Sequence, residues 1–145
     1  KTVMTKSNAQ AQWTGKINEG RGTMKFTGYE GIYTFASRFE NAGGTNPEEL
    51  VGAALAGCYS IYLSLLLTED GLNPEYINSK VDVIMDKDDS GPHITEIKLD
   101  CRVKCSGLDE GKLKELAAVT KEKCPVSRLY AGGTARISAE AQLIN

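Results

Sequence analysis

The sequence holds a single histidine, no CxxC pair and no block of basic residues, and each scarcity removes a class of function. His93, with no paired cysteines to join it, leaves too few ligands for a zinc site, so no metal and no bound cofactor are expected. Its 17 Lys and Arg against 19 Asp and Glu give a net charge of -2 with no clustering of one sign. That is no electrostatic footprint for nucleic acid. Four cysteines in 145 residues are too few and too unevenly placed for a secreted disulfide framework. No basic segment leading into a short apolar run opens the sequence, so a reducing, cytoplasmic setting is expected. No internal repeat or low-complexity stretch occurs, and the length suits one domain, residues 1–145, with a core large enough to need no staples.

What is present reads as short alternating runs. AQWTGKI, GTMKF and GIYTFASRF, broken by NEGRG and TGYEG, predict three strands between Ala11 and Phe39 joined by tight glycine-bearing turns. After NAGGTNP, Asn46 is placed to cap a helix, Pro47 suits its first position, and Glu49 stands three residues past the cap as in a capping box. That helix should run to about Thr68, with Gly71 as its stop. YINSKVDVIMD and HITEIKLDCRVKC predict two further strands around the polar loop DKDDSGP; on the second, Ile97, Leu99, Cys101, Val103 and Cys105 share one face. A second helix follows from Asp109, with Leu113, Leu116, Ala117 and Thr120 at helical spacing, and Pro125 ends or kinks it. TARISAEAQLI is the last strand. The order βββαββαβ predicts an α+β fold of antiparallel sheets around a buried central helix.

The central helix is the anomaly. Leu50 to Leu67 is 18 residues without a charge, the short edge of the transmembrane range. Glu48 and Glu49 precede it and Glu69 and Asp70 follow, so no Lys or Arg stands at either end to orient a span. The flanking strands also need a core, and a membrane role is not expected. A helix apolar all round in so small a domain instead needs a second subunit, and Gly52, Ala53, Ala56 and Gly57 would let another backbone approach. An intertwined homodimer with paired central helices is the expectation.

The thiols divide by environment. Cys58 lies within the apolar helix, where a cysteine is ordinarily a small inert core residue. Cys124 follows Lys121 and Lys123 and precedes Pro125, so positive charge and a helix N-terminus would both favour its thiolate. Cys101 and Cys105 fit plain core packing.

Taken together, SRFENAGGTNPEELVGAALAGCYS and KCPVS, with WTG, GTM and DVIMDKD elsewhere, resemble the osmotically inducible protein C and organic hydroperoxide resistance family, the OsmC/Ohr peroxidases. The likeness runs nearly the whole length, and the RFE before GTNPEEL resembles the OsmC branch more than the Ohr branch. The resemblance implies a peroxidatic role for Cys58, a resolving role for Cys124, thiolate activation by Arg38, and Glu48 as that arginine's partner. It implies a cysteine-based peroxidase that reduces organic hydroperoxides through a Cys58–Cys124 disulfide in oxidative or osmotic stress defence. The reductant it suggests is an external dithiol, dihydrolipoamide or a lipoylated protein. Glu48 and Cys58 stand ten residues apart on one helix, about 15 Å along its axis, so a site using both needs a partner subunit or a displaced helix start. Active sites at the dimer interface follow. Two other readings use the same thiols: a non-catalytic redox sensor, and a binding protein for a small apolar ligand.

Overall fold

A computed structural model describes residues 4–145, in two compact units that divide between Glu49 and Leu50. In the first, Gln10–Thr14 (β1), Arg21–Phe26 (β2) and Tyr29–Tyr33 (β3) form an antiparallel sheet in that order. Gly22 on β2 pairs with Trp13 on one side and Tyr33 on the other, and the two rings close over it with centroids 5.5 Å apart. A Cβ there would lie 2.6 Å from the Tyr33 ring, so only glycine allows this contact.

The third strand is shorter than its sequence suggests. It ends at Tyr33, and Phe35–Phe39 form a short helix, α1. Thr34 makes the break: its hydroxyl accepts the Ser37 N–H at 3.0 Å while the Ser37 hydroxyl accepts the Thr34 N–H at 2.8 Å, a reciprocal cap with serine in the place of glutamate.

The long helix α2, Pro47–Glu69, is unbroken. Asn46 Oδ1 accepts the Glu49 N–H at 2.8 Å, as the cap motif predicts. The other half of the expected capping box does not form, because the Glu49 carboxylate accepts the Thr45 hydroxyl at 3.0 Å instead. The helix stops at Gly71, whose φ of 78° lets the Leu72 N–H reach back to the Leu67 carbonyl at 2.9 Å.

In the second unit, Tyr76–Asp88 (β4), Gly91–Lys104 (β5) and Arg136–Leu143 (β6) form a sheet in chain order, with Glu110–Lys123 (α3) and Pro125–Ala131 (α4) between β5 and β6. Both strands of the β4–β5 hairpin extend into the stretch expected to be a loop, and His93 lies on β5. The alternation along β5 holds: Ile97, Leu99, Cys101 and Val103 are buried on one face, with Cys105 buried just past the strand. They form one core with Leu55, Tyr59, Leu63 and Leu67 of α2 and Leu113 and Leu116 of α3. Each of these leucines contributes about 1.5–3 kcal/mol by leaving water.

One expectation of topology is corrected here. The sheet is mixed, because β6 pairs parallel to β5; the connection through α3 and α4 is long enough to return the chain in the same direction. The central helix keeps one apolar face open in the single chain, as expected of a domain too small to wrap it alone. Gly52, Leu55, Tyr59, Leu63 and Leu67 make a buried stripe, while Ile61 is 72% and Leu65 48% exposed. Gly52, expected to face a second backbone, packs against Val81 and Val83 of its own sheet. By length and hydropathy α2 is one helix that could cross a membrane, yet this stripe belongs to the protein core.

Candidate active site

Two thiols far apart in sequence meet. Cys58, midway along α2, and Cys124, at the junction of α3 and α4, place their sulfurs 2.9 Å apart across 66 residues, with Cys124 donating to Cys58. All four cysteines are free thiols. A disulfide bond measures about 2.0 Å, so pairing these sulfurs needs a movement of about 1 Å.

Local sequence explains the placement of Cys124. It closes α3, with its N–H on the Thr120 carbonyl at 2.9 Å, and it caps α4, its sulfur accepting the Ser127 N–H at 3.5 Å. Pro125, at the first position of α4, has no N–H to donate into α3 and begins a new helix there. The Ser127 hydroxyl donates to the Lys121 carbonyl, tying the new helix to the old.

The electrostatics of Cys124 run opposite to the sequence expectation. Burial first, then donation to the Cys58 sulfur, push its thiol up to about 11, against the downward pull of the α4 N–H groups. Lys121 and Lys123 are exposed and water screens their charge. Cys124 therefore rests as a protonated thiol, the form that donates to Cys58. Nearby, burial also raises the Tyr59 phenol, with Cys101 and Cys124 adding to it. Its hydroxyl donates to the Ala117 carbonyl at 3.4 Å.

Arg38, in the last turn of α1, and Glu48, in the first turn of α2, form a two-pronged ion pair. Arg38 Nε donates to Oε1 at 2.8 Å and Nη2 donates to Oε2 at 3.1 Å. Such a fork fixes the guanidinium plane as a single contact does not. The guanidinium carbon also lies 5.1 Å from the centre of the Phe39 ring. The carboxylate is 13% exposed and the arginine side chain 37%. The arginine is thus partly open to water while its carboxylate partner is mostly covered.

Cys101 and Cys105 are wholly buried in the core, as packing residues. Burial raises the Cys101 thiol, and the Ser79 hydroxyl partly offsets this. His93 Nε2 lies 3.9 Å from Asp88 across the β4–β5 turn. Two participants escaped the sequence reading. Ser127 was within the quoted CPVS motif, and its buried N–H and hydroxyl were a readable helix-start signal. Tyr130 carried no signal, because its hydroxyl donates to the Val51 carbonyl at 3.0 Å, a partner 79 residues away.

Comparison with known proteins converges on one family. The family described as OsmC-like protein matches residues 40–138, a span that includes Glu48, Cys58 and Cys124. The chain is 41% identical over 139 residues to peroxiredoxin OsmC of Escherichia coli strain K12, covering 92% of this chain and 94% of that one. It is 28% identical over 128 residues to organic hydroperoxide resistance protein OhrB of Bacillus subtilis strain 168, covering 88% and 89%. Among solved structures, the OsmC-like protein of Mycoplasma pneumoniae shares the fold at a TM-score of 0.79 and 18% identity, over 99% of this chain and all of that one. The chain belongs to the OsmC-like protein family and stands closer to its OsmC branch than to the Ohr branch.

Proposed function

We propose that this chain reduces organic hydroperoxides to alcohols, with Cys58 as the attacking thiolate and Cys124 as the thiol that resolves it. Its family and its identity with peroxiredoxin OsmC make it a cysteine-based peroxidase. The observation that supports the two-thiol cycle is the 2.9 Å approach of the Cys58 and Cys124 sulfurs.

The cycle balances in three steps. The Cys58 thiolate attacks the terminal peroxide oxygen; the O–O bond breaks, sulfur takes the OH and is oxidised to sulfenic acid, and the departing alkoxide takes a proton from water and leaves as alcohol. The Cys124 thiol then attacks the Cys58 sulfenic acid, forming the S–S bond and releasing water. An external dithiol reopens that bond by exchange and is itself oxidised to a disulfide. Dihydrolipoamide, free or on a lipoylated protein, is the reductant we assign, and the cytoplasm the setting, in defence against oxidative or osmotic stress.

Arg38 suits the first step. A fixed guanidinium lowers the pKa of a nearby thiol and offers donors to the leaving alkoxide. Glu48 holds the guanidinium in orientation. The unbroken run of α2 from Pro47 to Glu69 supports the second-subunit route to Cys58, supply of the pair by another copy. We therefore assign each site the Arg38–Glu48 pair of a second copy. The exposed row of Ala54, Gly57, Ile61 and Leu65, at spacings of three and four along α2, supports such a homodimer. The apolar residues around Cys58 favour an alkyl or lipid hydroperoxide over hydrogen peroxide.

The test is steady-state consumption of cumene hydroperoxide and of hydrogen peroxide with excess dithiol, for wild type and Cys58→Ser. Turnover that favours the organic peroxide and vanishes in the variant is expected. One equivalent reduced and no more would make the protein a redox sensor; no reduction at all, with apolar ligand binding intact in Cys58→Ser, would make it a binding protein.

A further inference from the structure

Helix α4 is held from one side only: Ser127 is buried and tied to α3, and Val126 and Tyr130 pack against the core. It is seven residues long, too short to persist alone, and Arg128, Leu129 and Ala131 face water, Leu129 being 75% exposed. Yet this helix carries Cys124 at its N-terminus. Its two ends contact α2 at two points. At one, the Cys124 sulfur meets Cys58; at the other, the Tyr130 hydroxyl donates to the Val51 carbonyl at 3.0 Å. Val51 and Cys58 are seven residues apart, two turns on one face of α2, about 10.5 Å along the axis. Cys124 and Tyr130 are six apart, about 9 Å. The spacings match, so α4 lies along α2 like a ladder with two rungs. Burial and the neighbouring Cys58 both raise the Tyr130 phenol, which keeps it a donor.

From this geometry we propose that Tyr130 is a positioning residue for the resolving step: its hydrogen bond to the Val51 carbonyl holds α4 in register on α2 and so keeps the Cys124 sulfur within reach of Cys58. It touches neither substrate nor reacting atoms. It acts when Cys58 gains an oxygen and the two sulfurs must part and approach again; a loosened α4 would leave the sulfenic acid waiting and open to a second peroxide. The inference rests on the reading of Cys58 and Cys124 as a redox pair.

The test uses the full chain with Tyr130→Phe, which removes only the hydroxyl, and Leu129→Ala as the control on the outer face. Each protein is equilibrated in graded mixtures of reduced and oxidised glutathione, quenched in acid and alkylated, and the Cys58–Cys124 disulfide is quantified by peptide mass spectrometry. Tyr130→Phe should lower the equilibrium constant for that disulfide about three- to tenfold, the range set by one hydrogen bond, and Leu129→Ala should leave it unchanged. In a Cys124→Ser background, Tyr130→Phe should leave the alkylation rate of Cys58 unchanged, which general damage to the fold would not. An unaltered disulfide constant, or a Cys58 alkylation rate shifted by the same factor, overturns the proposal. Glutathione needs no peroxide chemistry, so the predicted shift in a protein whose Cys58 ignores hydroperoxide would uphold Tyr130 and sink the peroxidase reading alone.

Discussion

If Cys124 is held as a thiol, its reactivity should show it. Its side chain is fully buried, and burial together with the Cys58 sulfur pushes its pKa up to about 11. At pH 8 a group of pKa 11 is about 0.1% thiolate, whereas an ordinary cysteine near 8.5 is about 24%. Alkylation follows the thiolate, so iodoacetamide should modify Cys124 about 240-fold more slowly than an unperturbed thiol, before restricted access slows it further. The pH dependence has a definite sign. The charged form is the disfavoured one, so the rate should climb about tenfold per pH unit from 7 to 10 and level only near 11. Timed pulses of iodoacetamide at several pH values, acid quench and mass spectrometry of the Cys58 and Cys124 peptides measure both sites in one sample. A Cys124 profile that levels at or below pH 9 would refute the argument, and would return Cys124 to the lysine-activated thiolate that its sequence neighbours suggest.

Two more outcomes test the remaining parts. Glu48→Gln keeps the shape of the Arg38 partner and removes its charge; it should slow oxidation of Cys58 by cumene hydroperoxide about tenfold or more, read in single-turnover stopped flow, and an unchanged rate would detach the ion pair from the chemistry. Ile61→Asp puts a charge on the exposed row of α2 without touching the core; sedimentation should show a monomer with unchanged far-UV circular dichroism, and a persistent dimer would place the interface elsewhere.

The sequence disclosed those parts of the fold whose causes are local. Asn46 followed by Pro47 is a helix start that any context respects, and α2 begins there. Alternation along β5 placed Cys101 and Cys105 in the core because a strand has only two faces. Where two local patterns fit, tertiary context decided. FASRF continues a strand or makes a helical turn equally well, and the Thr34–Ser37 exchange selected the turn. The direction of β6 was hidden because side-chain alternation is the same in parallel and antiparallel pairs. At the thiol pair, Lys121 and Lys123 misled because neighbours in sequence point into water while the sulfur points inward. Tyr130 was invisible for a simpler reason: a hydroxyl bound to a distant carbonyl leaves no periodic trace.

The span between the paired thiols also bears on the unfolded chain. Joining residues 66 apart removes from the denatured ensemble every conformation in which those two points lie far from each other. By loop-closure entropy that restriction raises the free energy of the denatured state by about 4 kcal/mol, a sizeable share of the total stability of a domain of this size. Oxidised chains should therefore resist heat and proteolysis better than reduced ones. A Cys58–Cys124 disulfide, formed as proposed, would in this way make the oxidised molecule the longer-lived of the two.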